Sequence, residues 1–111
     1  MSFCGLELAV DRRVLIPRPE TELLAEAGWE FLARVATPEP VALDLGTGSG
    51  CLAIALAVKC PRAQVHAVDI SEDALAVARG NATRHAVAGH IQFHLGDGLQ
   101  TVPPGLRCDL I

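Results

Sequence analysis

Two aspartates and three glycines, Asp44, Gly46, Gly48, Gly50 and Asp69, form the pattern in this chain best suited to hold a ligand. The stretch Asp44-Leu45-Gly46-Thr47-Gly48-Ser49-Gly50 stands directly after the apolar run Val41-Ala42-Leu43 and directly before the helix-like Cys51-Leu52-Ala53-Ile54-Ala55-Leu56-Ala57. A glycine-rich turn between a buried strand and a helix lets the backbone approach a ligand with no Cβ in the way. It also aims the unpaired N–H groups of the helix's first turn at that ligand. Asp69 ends the next apolar run, Val65-His66-Ala67-Val68. A doubly wound sheet places there the carboxylate that accepts hydrogen bonds from ribose hydroxyls. The chemistry in view is the holding of a nucleoside cofactor.

Spacing narrows the choice of cofactor. A dinucleotide fingerprint runs G-x-G-x-x-G, with the pyrophosphate on the helix N-terminus. Here the glycines give G-x-G-x-G, and Cys51 stands where that pattern has its third glycine. Asp44, two positions before the first glycine, sits awkwardly beside a pyrophosphate. It suits a cofactor with a cationic amino group, such as the methionine part of S-adenosylmethionine. Glycine-rich strand-to-helix turns also occur with no ligand, so the reading rests on the combination with Asp44, Asp69 and the strand context.

Composition bounds the rest. At 111 residues the chain is one domain at most, with room for a modest core but short for a complete parallel-sheet enzyme. Half the residues are apolar (50%), which favours a globular fold over disorder. A net charge of -4 and a pI of about 5.4 give no general attraction to phosphates, and strong nucleic-acid binding is not expected. The start, Met1-Ser2-Phe3-Cys4-Gly5, lacks the basic, then apolar, pattern of a secretory signal, and no run approaches the ~18 apolar residues of a membrane span. Cys4, Cys51, Cys60 and Cys108 form no C-x-x-C pair, so reduced thiols in a cytoplasmic protein are expected. His66, His85, His90 and His94 match no metal-ligand spacing, and a structural or solvated role is expected for them.

The elements that must position the candidate residues follow from periodicity. Residues 6–10 alternate, Asp11-Arg12-Arg13 is a charged turn and Val14-Leu15-Ile16 resumes an extended run, which predicts a hairpin. Pro19 opens a helix to about Val35, with Glu20 and Glu22 in its first turn and Leu23, Leu24, Ala27, Phe31, Leu32 and Val35 as the face expected on a sheet. Beyond the stop Thr37-Pro38-Glu39-Pro40, strand and helix alternate as in a parallel sheet with crossover helices. The strands are expected over 41–45, 64–68 and 91–95, and the helices over 50–59 and from the cap Ser71 to about His85. Gly80 weakens the second of these helices by about 1 kcal/mol relative to alanine. Gly96-Asp97-Gly98 is a turn, Pro103-Pro104-Gly105 a loop, and residues 108–111 begin a fourth strand beside the first. With no further strand to cover it, that edge is expected to drive self-association. Residues 1–18 thus form a β-hairpin and linker, and 19–111 the N-terminal, incomplete part of a cofactor-binding domain.

Three blocks carry a family resemblance. Val14-Leu15-Ile16-Pro17-Arg18-Pro19-Glu20-Thr21-Glu22-Leu23-Leu24 resembles the lead-in motif of the HemK-type methyltransferases, which modify a glutamine of peptide chain release factors. Phe3-Cys4-Gly5-Leu6-Glu7-Leu8-Ala9-Val10 resembles that family's hairpin, with Leu8 where an aromatic is usual. Leu43 to Ile54 is similar to its cofactor loop, and Val68-Asp69-Ile70-Ser71 with Ala74, Leu75, Ala78, Asn81 and Ala82 to the segment after it. The glycine block is shared by many class I methyltransferases, whereas Ile-Pro-Arg-Pro-Glu-Thr-Glu is far more specific.

The resemblance implies an α/β, Rossmann-like class I methyltransferase fold, a partial parallel sheet with flanking helices, preceded by the hairpin. It implies that Gly46, Thr47, Gly48, Ser49 and Gly50 wrap the methionine and ribose part of S-adenosylmethionine and that Asp69 holds the ribose hydroxyls. Asp97 would lie near the adenine, and Gly98 stands where the family commonly has a larger side chain; Asp97 also reads as a plain Gly-Asp-Gly turn residue. Arg18 and Thr21 fit either an approach to the cofactor or a helix start. The family's acceptor motif, Asn-Pro-Pro-Tyr, is not among the 111 residues. The segment is therefore expected to hold S-adenosylmethionine, and its product S-adenosylhomocysteine, without methylating a release factor, and no catalytic residue is assigned. Two other readings stay open: an amino-group methyltransferase acting on RNA or DNA, and a non-catalytic nucleotide-binding or interaction module.

Overall fold

The computed structural model describes residues 1–98 and 108–111; the loop expected at Pro103-Pro104-Gly105 lies outside the described residues. The chain opens with a two-residue antiparallel pair, β1 (Ser2–Phe3) and β2 (Leu6–Glu7), with Phe3 opposite Leu6. Its turn is Cys4-Gly5, both at positive φ (50° and 78°). The hairpin expected over residues 6–10 and 14–16 is not formed. The side chains that find a core are Phe3 and Leu8, whereas Leu15 is 91% exposed and Ile16 is 68% exposed, so alternation there had no face to bury. The turn after it is real but local: the Asp11 carboxylate accepts the Arg13 N–H and its guanidinium, and the Val14 N–H bonds to the Asp11 carbonyl at 3.1 Å.

Helix α1 (Pro19–Arg34) starts with proline in its first turn, has Glu20 and Glu22 at its positive end and Arg34 at its negative end, all favourable to its dipole. Arg62 closes the far end by donating to the carbonyls of Leu32, Ala33, Val35 and Thr37. Of the face expected on a sheet only Leu32 is fully buried, and it packs on a helix. The buried residues are Ala25, Gly28 and Leu32, and they lie against α2 (Cys51–Lys59). A Cβ on Gly28 would come within 3.0 Å of Leu56, so small residues rather than the leucines let these two helices approach. Leu23, Leu24 and Phe31 remain 70%, 61% and 46% exposed.

The body is the expected alternation: β3 (Val41–Leu45), α2, β4 (Gln64–Asp69), α3 (Glu72–Arg84), a short 3-10 turn Ala88–His90 and β5 (Ile91–Leu95). The three strands are parallel in the order β3-β4-β5, with Ala42, Val65 and Ile91 in register and Asp44, Ala67 and Phe93 two residues further on. Ala42, Val65, Ala67 and Ile91 form the core with Ala53, Ile54, Ala57 and Ala82 of the helices. Fully buried Ile54 and Leu75 contribute roughly 2 kcal/mol each. The Ser71 hydroxyl caps α3 by accepting the Ala74 N–H, and the helix runs through Gly80 to Arg84. It ends in a 6→1 and 5→2 pair, Val87 N–H to Ala82 and Ala86 N–H to Thr83, with Ala86 at φ 58°, the arrangement that normally selects glycine.

The fourth strand falls on the expected side of the sheet but is only a single parallel bridge, Leu110 with Ala42. The Leu43 N–H donates to the Leu110 carbonyl at 2.8 Å, while the Asp109 carboxylate accepts the Val41 N–H at 2.8 Å. A side chain thus takes a bond that a continued ladder would have made.

Candidate cofactor-binding site

β3 delivers Asp44 and the bend that follows it to the C-terminal edge of the sheet, and β4 delivers Asp69 beside them. The bend is tied down by its own backbone: Thr47 N–H bonds to the Val68 carbonyl of the neighbouring strand at 2.9 Å, Gly50 N–H to the Thr47 carbonyl at 2.8 Å, and Ile54 N–H to the Gly50 carbonyl at 2.8 Å to begin α2. Gly46, Gly48 and Gly50 hold φ of 70°, 55° and 84°, a region that side chains make costly. A Cβ at Gly46 or Gly48 would meet nothing within 4 Å, whereas one at Gly50 would lie 3.1 Å from Ala78 and Ile54. The first two glycines therefore floor an open space and the third lets α2 pack on α3.

Two carboxylates face that space. Asp69 accepts the Gly48 N–H at 3.0 Å with one oxygen and the Ser71 N–H at 2.9 Å with the other. A carboxylate offers about four lone-pair sites, so capacity remains for two hydroxyl donors. Asp44 accepts the Thr47 hydroxyl at 2.8 Å. Burial pushes its carboxyl up to about 6, against the pull of the Thr47 hydroxyl and the Ala53 N–H, with the nearby Asp69 charge adding to the rise. Removal from water disfavours the charged form, and among the described residues no cation offsets it at Asp44; a ligand with an ammonium group would do so.

A cavity of about 550 Å³ unites these groups with the lead-in: Arg13, Arg18 and Thr21 line one side, and Asp44, Gly48 and Asp69 line the other. A second hollow of about 390 Å³ continues past Gly46 and Asp69 to Ile70, Asp97 and Gly98. Gly46, Thr47, Gly48, Ser49 and Asp69 thus border the first space, Asp97 and Gly98 the adjoining one, and Gly50 the helix junction beneath. Thr47 and Ser49 are buried, and the Thr47 hydroxyl is spent on Asp44. Arg18 and Thr21 both reach the cavity while the Thr21 N–H also bonds to the Arg18 carbonyl at 3.0 Å, which joins the helix-start and site roles. The Cys51 thiol lines the same cavity, but burial pushes it up to about 11, leaving a neutral, unreactive group.

Sequence reasoning gave Asn81 no role of its own. It is fully buried; its amide nitrogen donates to the carbonyls of Ser49 and Ala9 at 2.9 Å each, and its oxygen accepts the Ala9 N–H at 2.7 Å. The available signal was a polar residue inside the apolar face Ala74, Leu75, Ala78 and Ala82 of α3. His66 and His94, on adjacent strands, pair ring nitrogen to ring nitrogen at 2.9 Å, away from the cavity.

A family profile described as a methyltransferase domain matches residues 37–110. The chain is 52% identical over 100 residues to the release factor glutamine methyltransferase of Chlorobaculum tepidum, which covers 87% of this chain and 34% of that protein. It is 46% identical over 109 residues to the release factor glutamine methyltransferase of Koribacter versatilis, covering 98% of this chain and 38% of the relative. The chain therefore spans about a third of the length of these curated relatives. A SAM-dependent methyltransferase from Geobacter sulfurreducens, solved in complex with S-adenosyl-L-homocysteine, superimposes with a TM-score of 0.60 at 26% identity over 78% of this chain and 32% of that one. Among the described residues no helix is long and apolar enough to cross a membrane. Sequence, fold and bend agree: the chain belongs to the methyltransferase domain family.

Proposed function

We propose that this chain is the donor-binding part of a release factor glutamine methyltransferase. The observation that carries the reading is the open, glycine-floored cavity flanked by two carboxylates and walled by the Pro-Arg-Pro-Glu-Thr segment. S-adenosylmethionine, when bound, supplies a methyl group already activated on sulfur. The residues here hold and orient it. Asp44 pairs with the ammonium group, Asp69 takes the two ribose hydroxyls, and Ile70, Asp97 and Gly98 border the adenine. Arg18 faces the amino-acid carboxylate from the lead-in. With donor and acceptor groups both fixed, alignment supplies most of the rate gain. None of the 111 residues is proposed to hold the glutamine amide.

The proposal is tested by calorimetric titration of the chain with S-adenosylmethionine, S-adenosylhomocysteine and NAD. Saturable binding of the first two and none of NAD is expected. NAD binding alone overturns the choice of cofactor, and no binding at all favours an interaction module. For the acceptor, these residues replace the matching third of the Chlorobaculum tepidum relative. The chimera is expected to transfer label from methyl-labelled donor to a release factor, and the label should vanish when the factor's glutamine is replaced. Transfer to RNA or DNA instead would favour the amino-group reading.

A further inference from the structure

Asn81 uses its whole amide. Both Nδ2 protons and Oδ1 are engaged, with Ala9 bonded through N–H and carbonyl in the manner of a strand partner, and Ser49 through its carbonyl. The partners lie 72 and 32 residues away in sequence; Ser49 lines the cavity, and Ala9 precedes the segment that lines its other side. Ser49 sits between Gly48 and Gly50 in the bend, and Ala9 leads into the segment that brings Arg13, Arg18 and Thr21 to the mouth. Among the described residues, residues 9–18 are otherwise tied to the domain's helices by the Thr21 N–H to Arg18 carbonyl bond at the start of α1. Neither Asn81 atom lines the cavity, so any effect on a ligand passes through backbone. Fixing the Ser49 carbonyl fixes the Ser49–Gly50 peptide plane, two peptide units along the bend from the Gly48 N–H that Asp69 holds at 3.0 Å.

The geometry points to Asn81 as the positioning residue of the cofactor cavity, setting the separation and orientation of the glycine bend and the lead-in. This rests on the reading of the cavity as an S-adenosylmethionine site. A merely structural asparagine would alter stability and leave the affinity of the folded protein alone.

The test compares Asn81→Ala and Asn81→Asp with Arg62→Ala, which removes hydrogen bonds at the end of α1, outside the cavity. Urea unfolding gives each stability, and calorimetry with S-adenosylhomocysteine gives the affinity of the folded protein. Both Asn81 variants are expected to bind about tenfold more weakly or worse, as loss of a buried donor to two carbonyls implies, while Arg62→Ala keeps the parent affinity. Asn81→Asp adds a readout that stability does not move. Acidification protonates its carboxyl and restores one donor, so its affinity relative to the parent at the same pH recovers toward pH 5, whereas that of Asn81→Ala does not. Equal affinities for Asn81→Ala and the parent overturn the inference, as does failure of both Asn81 variants to fold. If the parent itself does not bind, the cofactor reading fails first.

Discussion

Replacing Asp44 with asparagine separates what the carboxylate does for the fold from what it does for a ligand. Its carboxyl titrates near 3.8 in an unfolded chain and at about 6 in the folded one. At about 1.4 kcal/mol per pH unit, the charged form therefore destabilises the empty protein by about 3 kcal/mol. The sign follows from proton binding. Between those two values the folded state holds the extra proton, so stability is greatest below about 3.8 and falls as pH rises to about 6. Asparagine keeps an oxygen for the Thr47 hydroxyl and carries no charge. Urea unfolding of the two proteins should show asparagine ahead by about 3 kcal/mol at pH 7.5, with the gap closing toward pH 4. The same variant should lose S-adenosylmethionine affinity, because the ammonium group loses its partner. A parent protein that binds the donor near pH 5 should release a proton as it does so, visible as a dependence of the binding enthalpy on the buffer's ionisation enthalpy. An asparagine variant that is no more stable at pH 7.5, or one more stable by the same margin at every pH, would show that the buried Asp44 charge does not destabilise the fold.

Arg62→Ala removes a charged donor from four carbonyls at the end of α1 and should cost about 1–2 kcal/mol in urea unfolding. Ala86→Gly relieves a left-handed alanine at φ 58° and should add about 1 kcal/mol by the same measurement; loss of stability there would show that the alanine methyl packs usefully. Exposed Leu24, Phe31 and Ile111 line one apolar hollow with Leu110, so the sedimentation coefficient of the 111-residue chain should rise with concentration, and a concentration-independent monomer would count against self-association.

The run from β3 to β5 was legible because each element there obeys its own period and is stopped by its own punctuation. α2 is apolar on nearly every side and is buried; α3 begins at a serine that does cap it. The carboxylates were legible because their place is set by strand ends, which the glycines mark. The hairpin was misplaced because Leu15 and Ile16 look like strand residues, and only the packed structure reveals that Phe3 and Leu8 occupy the available core. The face of α1 failed for a related reason: hydrophobicity pointed to Leu23, Leu24 and Phe31, whereas close approach of α2 selects Ala25 and Gly28. Asn81 was hidden because its partners are distant in sequence, and a side chain that pins backbone leaves no periodic trace.

Amide chemical-shift mapping of the chain with S-adenosylhomocysteine decides whether the glycine bend is the cofactor site. Saturable shifts are expected centred on Gly46, Gly48, Ser49, Asp69 and Ser71, extending to Ile70, Asp97 and Gly98 and to Arg18 and Thr21 across the cavity. Binding that instead perturbs the hollow at the opposite end of the strands, around Arg62, His66 and His90, with the glycine bend unmoved, would contradict that assignment.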